Sequence, residues 1–317
     1  MSEPTDVSPG RSQSENHSVV KAAGVIGIAT FSSRILGFIR DMVLARLFGA
    51  TPAADAFFVA FRIPSLLREL FAEGSMSAAF IPVFTEYQTL KSKREAWELA
   101  SAAFTTLLTV VTLVTLLGIV TAPWLVQALA PGFQSNPEKL ALTTVLARVM
   151  FPYLLFISLA AIAMGILNSV RAFAVPAYAA LFLNIFIIGC ALFLSPHLQE
   201  PIVGVAIGVV AGGAAQFVMQ LPSLKIRGLL FGFRFEPGHP GVKRIGQLMV
   251  PSLLGMSVTQ INLTVSTILA SFIAGAPTRI CCGRPTRGCG ERTRWTPRAF
   301  GRSCRAPSRC PALSLRC

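Results

Sequence analysis

The sequence predicts an all-α polytopic membrane protein with about seven transmembrane helices, and three observations carry that prediction. Of 317 residues, 53% are hydrophobic and 13% charged, and the mean hydropathy is +0.63. A soluble domain carries more charge and shorter apolar runs. Runs of about 20 apolar residues recur, the length that crosses a bilayer as a helix. FTTLLTVVTLVTLLGIVTA (104–122) and YAALFLNIFIIGCALFL (178–194) are two of them. The loops between the runs also alternate in charge, as those of a chain that crosses a membrane repeatedly do.

In chain order the expected helices cover 19–48, 52–84, 99–129, 140–167, 176–194, 202–221 and 245–274. Lys91, Lys93 and Arg94 follow the second helix and Arg171 follows the fourth. Lys225, Arg227, Arg234, Lys243 and Arg244 follow the sixth, in a basic loop at 225–244. The opposite loops, around Ala50, 131–139 and 195–201, hold only Lys139. The excess of basic residues marks the cytoplasmic side, so the N-terminus is expected there. Residues 1–18 are polar and Ser-rich and lack the apolar core of a signal peptide, which predicts a disordered cytoplasmic tail. Residues 19–224 would then form a six-helix lobe. The seventh helix at 245–277 ends ILASFIAGAP much as the first ends VLARLFGATP, as if it opened a second lobe. Chance likeness of two Ala/Leu-rich helix ends is the other reading.

The net charge of +14 would suggest a nucleic-acid partner, but its distribution excludes one. From Thr278 onward there are ten Arg and one Glu, so this stretch supplies +9, and six of the seven Cys lie there too. Its cysteines have no paired CxxC spacing for zinc. It holds no apolar run long enough to span, and its arginines would follow the seventh helix on the wrong side for the loop-charge rule. An abrupt Arg/Gly/Pro/Cys-rich composition over 278–317 is what a shifted reading frame in GC-rich DNA yields. The expectation is a truncated copy with a disordered tail, and further helices in another frame. Elsewhere, the three His lie in tails or loops without metal-ligand spacing, Cys190 is alone in its helix, and no nucleophile motif, P-loop or catalytic carboxylate pair occurs. Neither a metal, a cofactor nor an enzymatic activity is expected.

Charge inside the first two helices is the anomaly. SSRILGFIRDMVLARLFGA (32–50) carries Arg34, Arg40, Asp41 and Arg46. An Arg at mid-membrane opposes insertion by ~2.5–3.5 kcal/mol, so Arg34, Arg40 and Arg68 facing lipid would together cost roughly 9 kcal/mol. Turning them toward a water-filled cavity avoids that cost. Arg34 and Asp41 are seven residues apart and point the same way, with Gly37 between them able to bend the helix. In the second helix Asp55, Arg62 and Glu69 recur every seven residues as one polar stripe, Pro64 is expected to kink the helix, and Glu73 follows in LLRELFAEGS. Arg46, near a helix end, reads as snorkelling to the interface. Arg62, flanked by two acids on its stripe, reads as a structural ion pair. Arg34, Arg40 and Arg68 lack enough nearby acid, and a guanidinium binds two phosphate oxygens at once.

The stretch SSRILGFIRDMVLARLFGATPAADAFFVAFRIPSLLRELFAEGSMSAAFIPVFTEY (32–87) resembles the N-terminal signature of the MurJ/MviN lipid II flippases. APGF (130–133), FPYLLFISLAAIAMGILNS (151–169) and PSLLGMSVTQINLTVSTILASF (251–272) add to the likeness, which covers about four-fifths of the chain, roughly 19–277. The resemblance implies membership of the multidrug/oligosaccharidyl-lipid/polysaccharide exporter superfamily, in the bacterial inner membrane. It implies a fourteen-helix whole, with two six-helix lobes around a cationic cavity and two further helices for the lipid tail. It implies movement of the undecaprenyl-diphosphate-linked peptidoglycan precursor, lipid II, to the periplasmic leaflet. Arg34, Arg40 and Arg68 match the family's cavity arginines, Asp55 matches a functionally important acid, Glu73 sits in the AEGS motif, and Asp41 follows Arg40. The eighth helix of the family, with a further cavity arginine, has no counterpart in 278–317. An exporter of another lipid-linked saccharide, or a membrane-bound glycosyl or acyl transferase, remains as an alternative; the partners in either case are membrane lipids rather than nucleic acid.

Overall fold

The computed structural model describes residues 9–69, 75–170, 172–228, 236 and 238–275. The chain divides into two units, Met1–Ala276 and Pro277–Cys317. The second, with the Arg/Cys-rich stretch, lies outside the described residues, as does Glu73.

Among the described residues every regular element is helical. The elements are α1 (Pro9–Phe48), α2 (Pro52–Arg68), α3 (Ser75–Leu90), α4 (Lys93–Leu129), α5 (Pro137–Met150), α6 (Pro152–Ser169), α7 (Ala174–Gly189), α8 (Pro201–Val218), α9 (Leu221–Ile226) and α10 (Pro240–Gly275). Short 3-10 turns cover Pro131–Ser135 and Ser195–His197, and a π turn, Cys190–Leu194, extends α7.

Proline sets many of these boundaries. Its fixed φ suits the first helical turn, where its missing N–H costs nothing, and α2, α5, α6 and α8 all begin on one. Thr51 caps α2 by accepting from the Ala54 N–H (3.4 Å), and Ser92 caps α4 by accepting from the Glu95 N–H (3.2 Å). Several expected boundaries shift accordingly. The first helix starts at Pro9, within the segment expected to be a disordered tail, because a proline-led polar turn can extend a helix outward from its apolar part. Within the helix expected over 52–84, the described residues are helical on both sides of 70–74, as α2 and α3, of 17 and 16 residues. Pro64 is taken into the interior of α2 without ending it. The helix expected over 140–167 is α5 and α6, which run on as one stretch, Pro137–Ser169, through Phe151 in helical geometry; Pro152 has no N–H to continue the ladder there.

Among the described residues, four helical stretches are long and apolar enough to cross a membrane: Lys93–Leu129, Pro137–Ser169, Ala174–His197 and Pro201–Ile226. A fifth follows if the two halves of α10, Pro240–Gly255 and Gln260–Phe272, bent by 49°, count as one span. The first two expected spans, which carry the cavity arginines, are helical over their described residues and are not among these stretches.

Among the described residues, two large apolar clusters and a small one at Val59, Ala130 and Phe133 hold the bundle. Phe80, Phe84, Leu99, Leu154, Ile162 and Ile166 pack α3, α4 and α6 together. Phe57, Ile63, Met150, Phe151, Tyr153 and Val209 pack α2, α5, α6 and α8. Helix α2 therefore buries Ala56, Phe57, Ala60 and Ile63 and turns its 55/58/62/65/69 face away from that core. Arg244 Nη1 meets Glu86 at 2.9 Å, which brings the start of α10 to the basic end of α3. The Gly132 N–H donates to Ser271 Oγ (3.4 Å), which brings the end of α10 to the opposite turn. These two contacts put the start of α10 near the end of α3 and its far end near the turn before α5.

Helix α8 lies against α7 with almost no side chain between them. Gly204, Gly208 and Gly212 share one face at four-residue spacing. A Cβ at Gly208 would fall 2.9 Å from the Cys190 Cβ and 3.0 Å from the Phe186 carbonyl oxygen, and one at Gly212 2.9 Å from the Leu183 Cα. Small residues of this kind let membrane helices approach backbone to backbone. Gly208→Leu is expected to destabilise the lobe by about 1–3 kcal/mol or more through overpacking. A lower thermal midpoint in detergent checks this, and an unchanged midpoint would contradict the contact.

Candidate functional site

The polar stripe of α2 faces a cavity of about 610 Å³, and α10 forms the far wall. Asp55, Arg62, Ser65, Arg68 and Glu69 line it from α2, and Leu263, Ser266, Thr267, Ala270 and Ser271 from the second half of α10. Phe133, from the turn before α5, lies at one end. The α10 hydroxyls are already spent on their own helix: Ser266 donates to the Asn262 carbonyl (3.0 Å) and Thr267 to that of Leu263 (2.9 Å). The chemistry of this cavity therefore rests on the charges of α2.

Those charges are not paired as the stripe suggested. The partner of Asp55 is Lys139, whose Nζ lies 2.8 Å from Oδ2 and 4.1 Å from the centre of the Phe133 ring. The Lys139 side chain is 4% exposed and that of Asp55 is 42% exposed, so a buried ammonium is tethered to a carboxylate at the cavity wall. Arg62, expected to pair with Asp55 or Glu69, instead donates from Nη2 to Gln260 Oε1 (3.3 Å). The Nε2 of the same Gln260 donates to Glu69. One amide on α10 thus links an arginine and a carboxylate of α2, next to the bend in α10. Arg68 Nη2 lies 3.9 Å from Glu69 Oε1. Among the described residues, two guanidinium groups and Lys139 face two carboxylates here, a formal excess of one positive charge.

A second cavity, of about 360 Å³, lies on the other side of α2. Arg40, Asp41 and Leu44 line it from α1, Phe57, Phe58 and Phe61 from α2, and Ile187 and Val209 from α7 and α8. Phe58 and Phe61 border both cavities. Arg40 donates from Nε (3.0 Å) and Nη2 (2.8 Å) to Asp41 Oδ1, and from Nη1 (3.1 Å) to Asn184 Oδ1 on α7.

The six residues picked out by sequence are therefore distributed. Asp55 and Arg68 share the larger cavity and Arg40 and Asp41 the smaller one. Arg34 is exposed and lines neither, so it does not join Asp41, and Glu73 lies outside the described residues. Sequence reasoning passed over Lys139, Asn184 and Gln260 and assigned Arg62 to an ion pair. Asn184 and Gln260 carried a usable signal, since each is an amide within an apolar helix. Among the described residues no cluster of His, Cys, Asp or Glu could hold a metal ion.

Several membrane-length helices, with charged cavities beside α2, define a polytopic α-helical membrane protein, and its bundle has a transporter fold. A solved outward-facing multidrug resistance MATE family transporter of the MOP superfamily matches with a TM-score of 0.57 over 78% of this chain and 54% of its own; at 16% identity this likeness is one of fold. The family model described as lipid II flippase MurJ matches residues 44–281, and the chain belongs to that family. The match includes Asp55, Arg62 and Arg68 and begins after Arg34, Arg40 and Asp41. A probable lipid II flippase MurJ of Vibrio cholerae is 42% identical over 264 residues, covering 80% of this chain and 50% of the relative. A lipid II flippase MurJ of Burkholderia cenocepacia is 40% identical over 246 residues, covering 76% and 48%. The solved structure of a lipid II flippase MurJ in an inward closed conformation gives a TM-score of 0.66 at 31% identity, over 78% of this chain and 50% of that one. The chain spans about half the length of the curated relatives it matches.

Proposed function

We propose that this chain is the N-terminal half, a six-helix lobe and the first helix of a second, of a flippase that carries lipid II from the cytoplasmic to the periplasmic leaflet. The observation that carries this reading is the pair of charged cavities flanking α2, with Arg40 in one and Arg62 and Arg68 in the other. Guanidinium groups among membrane helices are unfavourable unless something anionic or wet meets them, and a diphosphate suits their fork geometry. The diphosphate and sugar head occupy the polar side of the lobe while the prenyl chain stays in lipid. A second lobe, packed opposite this one, opens the site to each leaflet in turn by alternating access. Arg40 and Arg68 contact the headgroup, joined by Arg62, while Arg34 lies outside both cavities, and Asp41, Asp55 and Glu73 support the cavity walls or the gate. Transport of fluorescent lipid II across vesicles holding a full-length flippase with this N-terminal half tests the reading. Preferential transport of a different lipid-linked saccharide, or chemical modification of the lipid without transport, would replace it.

The lobe sits in the bacterial inner membrane with its N-terminus and the basic ends of α3, α4, α9 and α10 in the cytoplasm. The loop charges support this orientation, as does the Arg244–Glu86 contact that gathers two of those ends. A single cysteine at Ser135 is expected to react with an impermeant thiol reagent from outside, and one at Lys93 only after the membrane is opened. Lys93 is the better inner probe than Ser92, which caps α4. The reverse labelling pattern would invert the orientation.

A further inference from the structure

We infer that Asn184 is a positioning residue that holds the Arg40 guanidinium in one orientation at the wall of the smaller cavity. The inference rests on the proposed role of Arg40 as a diphosphate contact. Asn184 is buried in α7, a helix otherwise almost wholly apolar. A buried amide in such a helix is unfavourable unless both ends are hydrogen-bonded, and here both are. Its Oδ1 accepts from Arg40 Nη1 (3.1 Å), and its Nδ2 donates to the Ser33 carbonyl (3.3 Å). The partners fix which end is which, because arginine only donates and a carbonyl only accepts. Ser33, Gly37 and Arg40 lie on one face of α1, at steps of four and three residues. Gly37 leaves the amide its space: a Cβ there would sit 3.9 Å from Nδ2.

The consequence concerns the donors that remain. A guanidinium has five N–H groups. Asp41 takes one from Nε and one from Nη2, and Asn184 takes one from Nη1. One donor is left on each terminal nitrogen of a group that lines the cavity, and the two flanking acceptors stop the guanidinium from rotating. That is a preformed fork for two oxygens of one phosphate. Asp41 alone would leave Nη1 free to turn, and the fork would have to be ordered at the moment of binding.

The test uses the 317-residue chain in detergent, with farnesyl diphosphate as the probe. Asn184→Leu keeps the branching and the number of side-chain heavy atoms and makes the helix more apolar, so insertion is not at risk. It is expected to weaken farnesyl diphosphate binding about tenfold, the scale of one hydrogen bond to a charged group. In an Arg40→Leu background the same change is expected to do nothing, since a positioning residue acts only through what it positions. An equal loss in both backgrounds would make Asn184 merely structural and overturn the inference. Nitrogen-15 NMR of the arginine side chains provides a readout that needs no ligand. Rotation of the Arg40 terminal nitrogens is expected to be slow in the wild type and in Asn184→Asp, which keeps the acceptor, and fast in Asn184→Leu. Fast rotation in all three overturns the clamp whatever binds. If instead Arg40→Leu binds the probe as well as the wild type, or the wild type does not bind it, the proposed role of Arg40 fails and the NMR rates alone decide whether Asn184 holds it.

Discussion

Arg40→Ala and Arg68→Ala, each placed in a full-length flippase with this N-terminal half, are expected to abolish growth of a flippase-depleted bacterium at near-normal membrane levels. The two residues lie on opposite sides of α2, so either change removes a bidentate anion contact that the other cannot replace. A lost hydrogen bond to a charged partner costs about 1.5–3 kcal/mol, and a doubly bonded phosphate loses two. Arg46→Ala is expected to be mild, since Arg46 is exposed in the last turn of α1. Arg→Lys is the sharper probe, because it retains the charge and loses the fork. Growth with both alanine variants would remove the cavities from the transport path.

The second large effect is an asymmetry in one ion pair. Asp55→Ala removes the carboxylate 2.8 Å from the buried Lys139 ammonium, and losing one partner of a buried pair costs up to about 3–5 kcal/mol. Lys139→Met leaves a carboxylate that is already nearly half exposed to the cavity. Its cost is expected to be about 1 kcal/mol, the scale of a solvated pair. Chemical unfolding of the two variants in the same detergent checks the order. Equal costs would mean that Lys139 reaches water by another route.

The helices were legible because apolar runs and prolines act locally: Pro52, Pro137, Pro152 and Pro201 each open an element. The polar face of α2 was legible for the same reason, since Asp55, Arg62 and Glu69 keep a helical period. Their partners were not. Asp55 and Arg62 stand seven residues apart, about 10.5 Å along the axis, which is long for a direct pair, and a side chain from another helix comes closer. Lys139, Asn184 and Gln260 lie 84, 144 and 198 positions from the charges they meet. No local period encodes such distances. The expected gathering of three arginines also overlooked the aromatic side chains of α2, Phe58 and Phe61, which border both cavities and stand between Arg40 and Arg68.

The most direct measurement is the affinity of this chain, reconstituted in lipid nanodiscs, for lipid II compared with undecaprenyl monophosphate. Both ligands share the prenyl tail, so the comparison isolates the diphosphate and sugar head. The account expects lipid II to bind at least about tenfold more tightly, one good charged contact's worth, and expects that preference to disappear in the double variant Arg40→Ala/Arg68→Ala. Equal affinity for the two lipids, or a preference that survives the double variant, would contradict it.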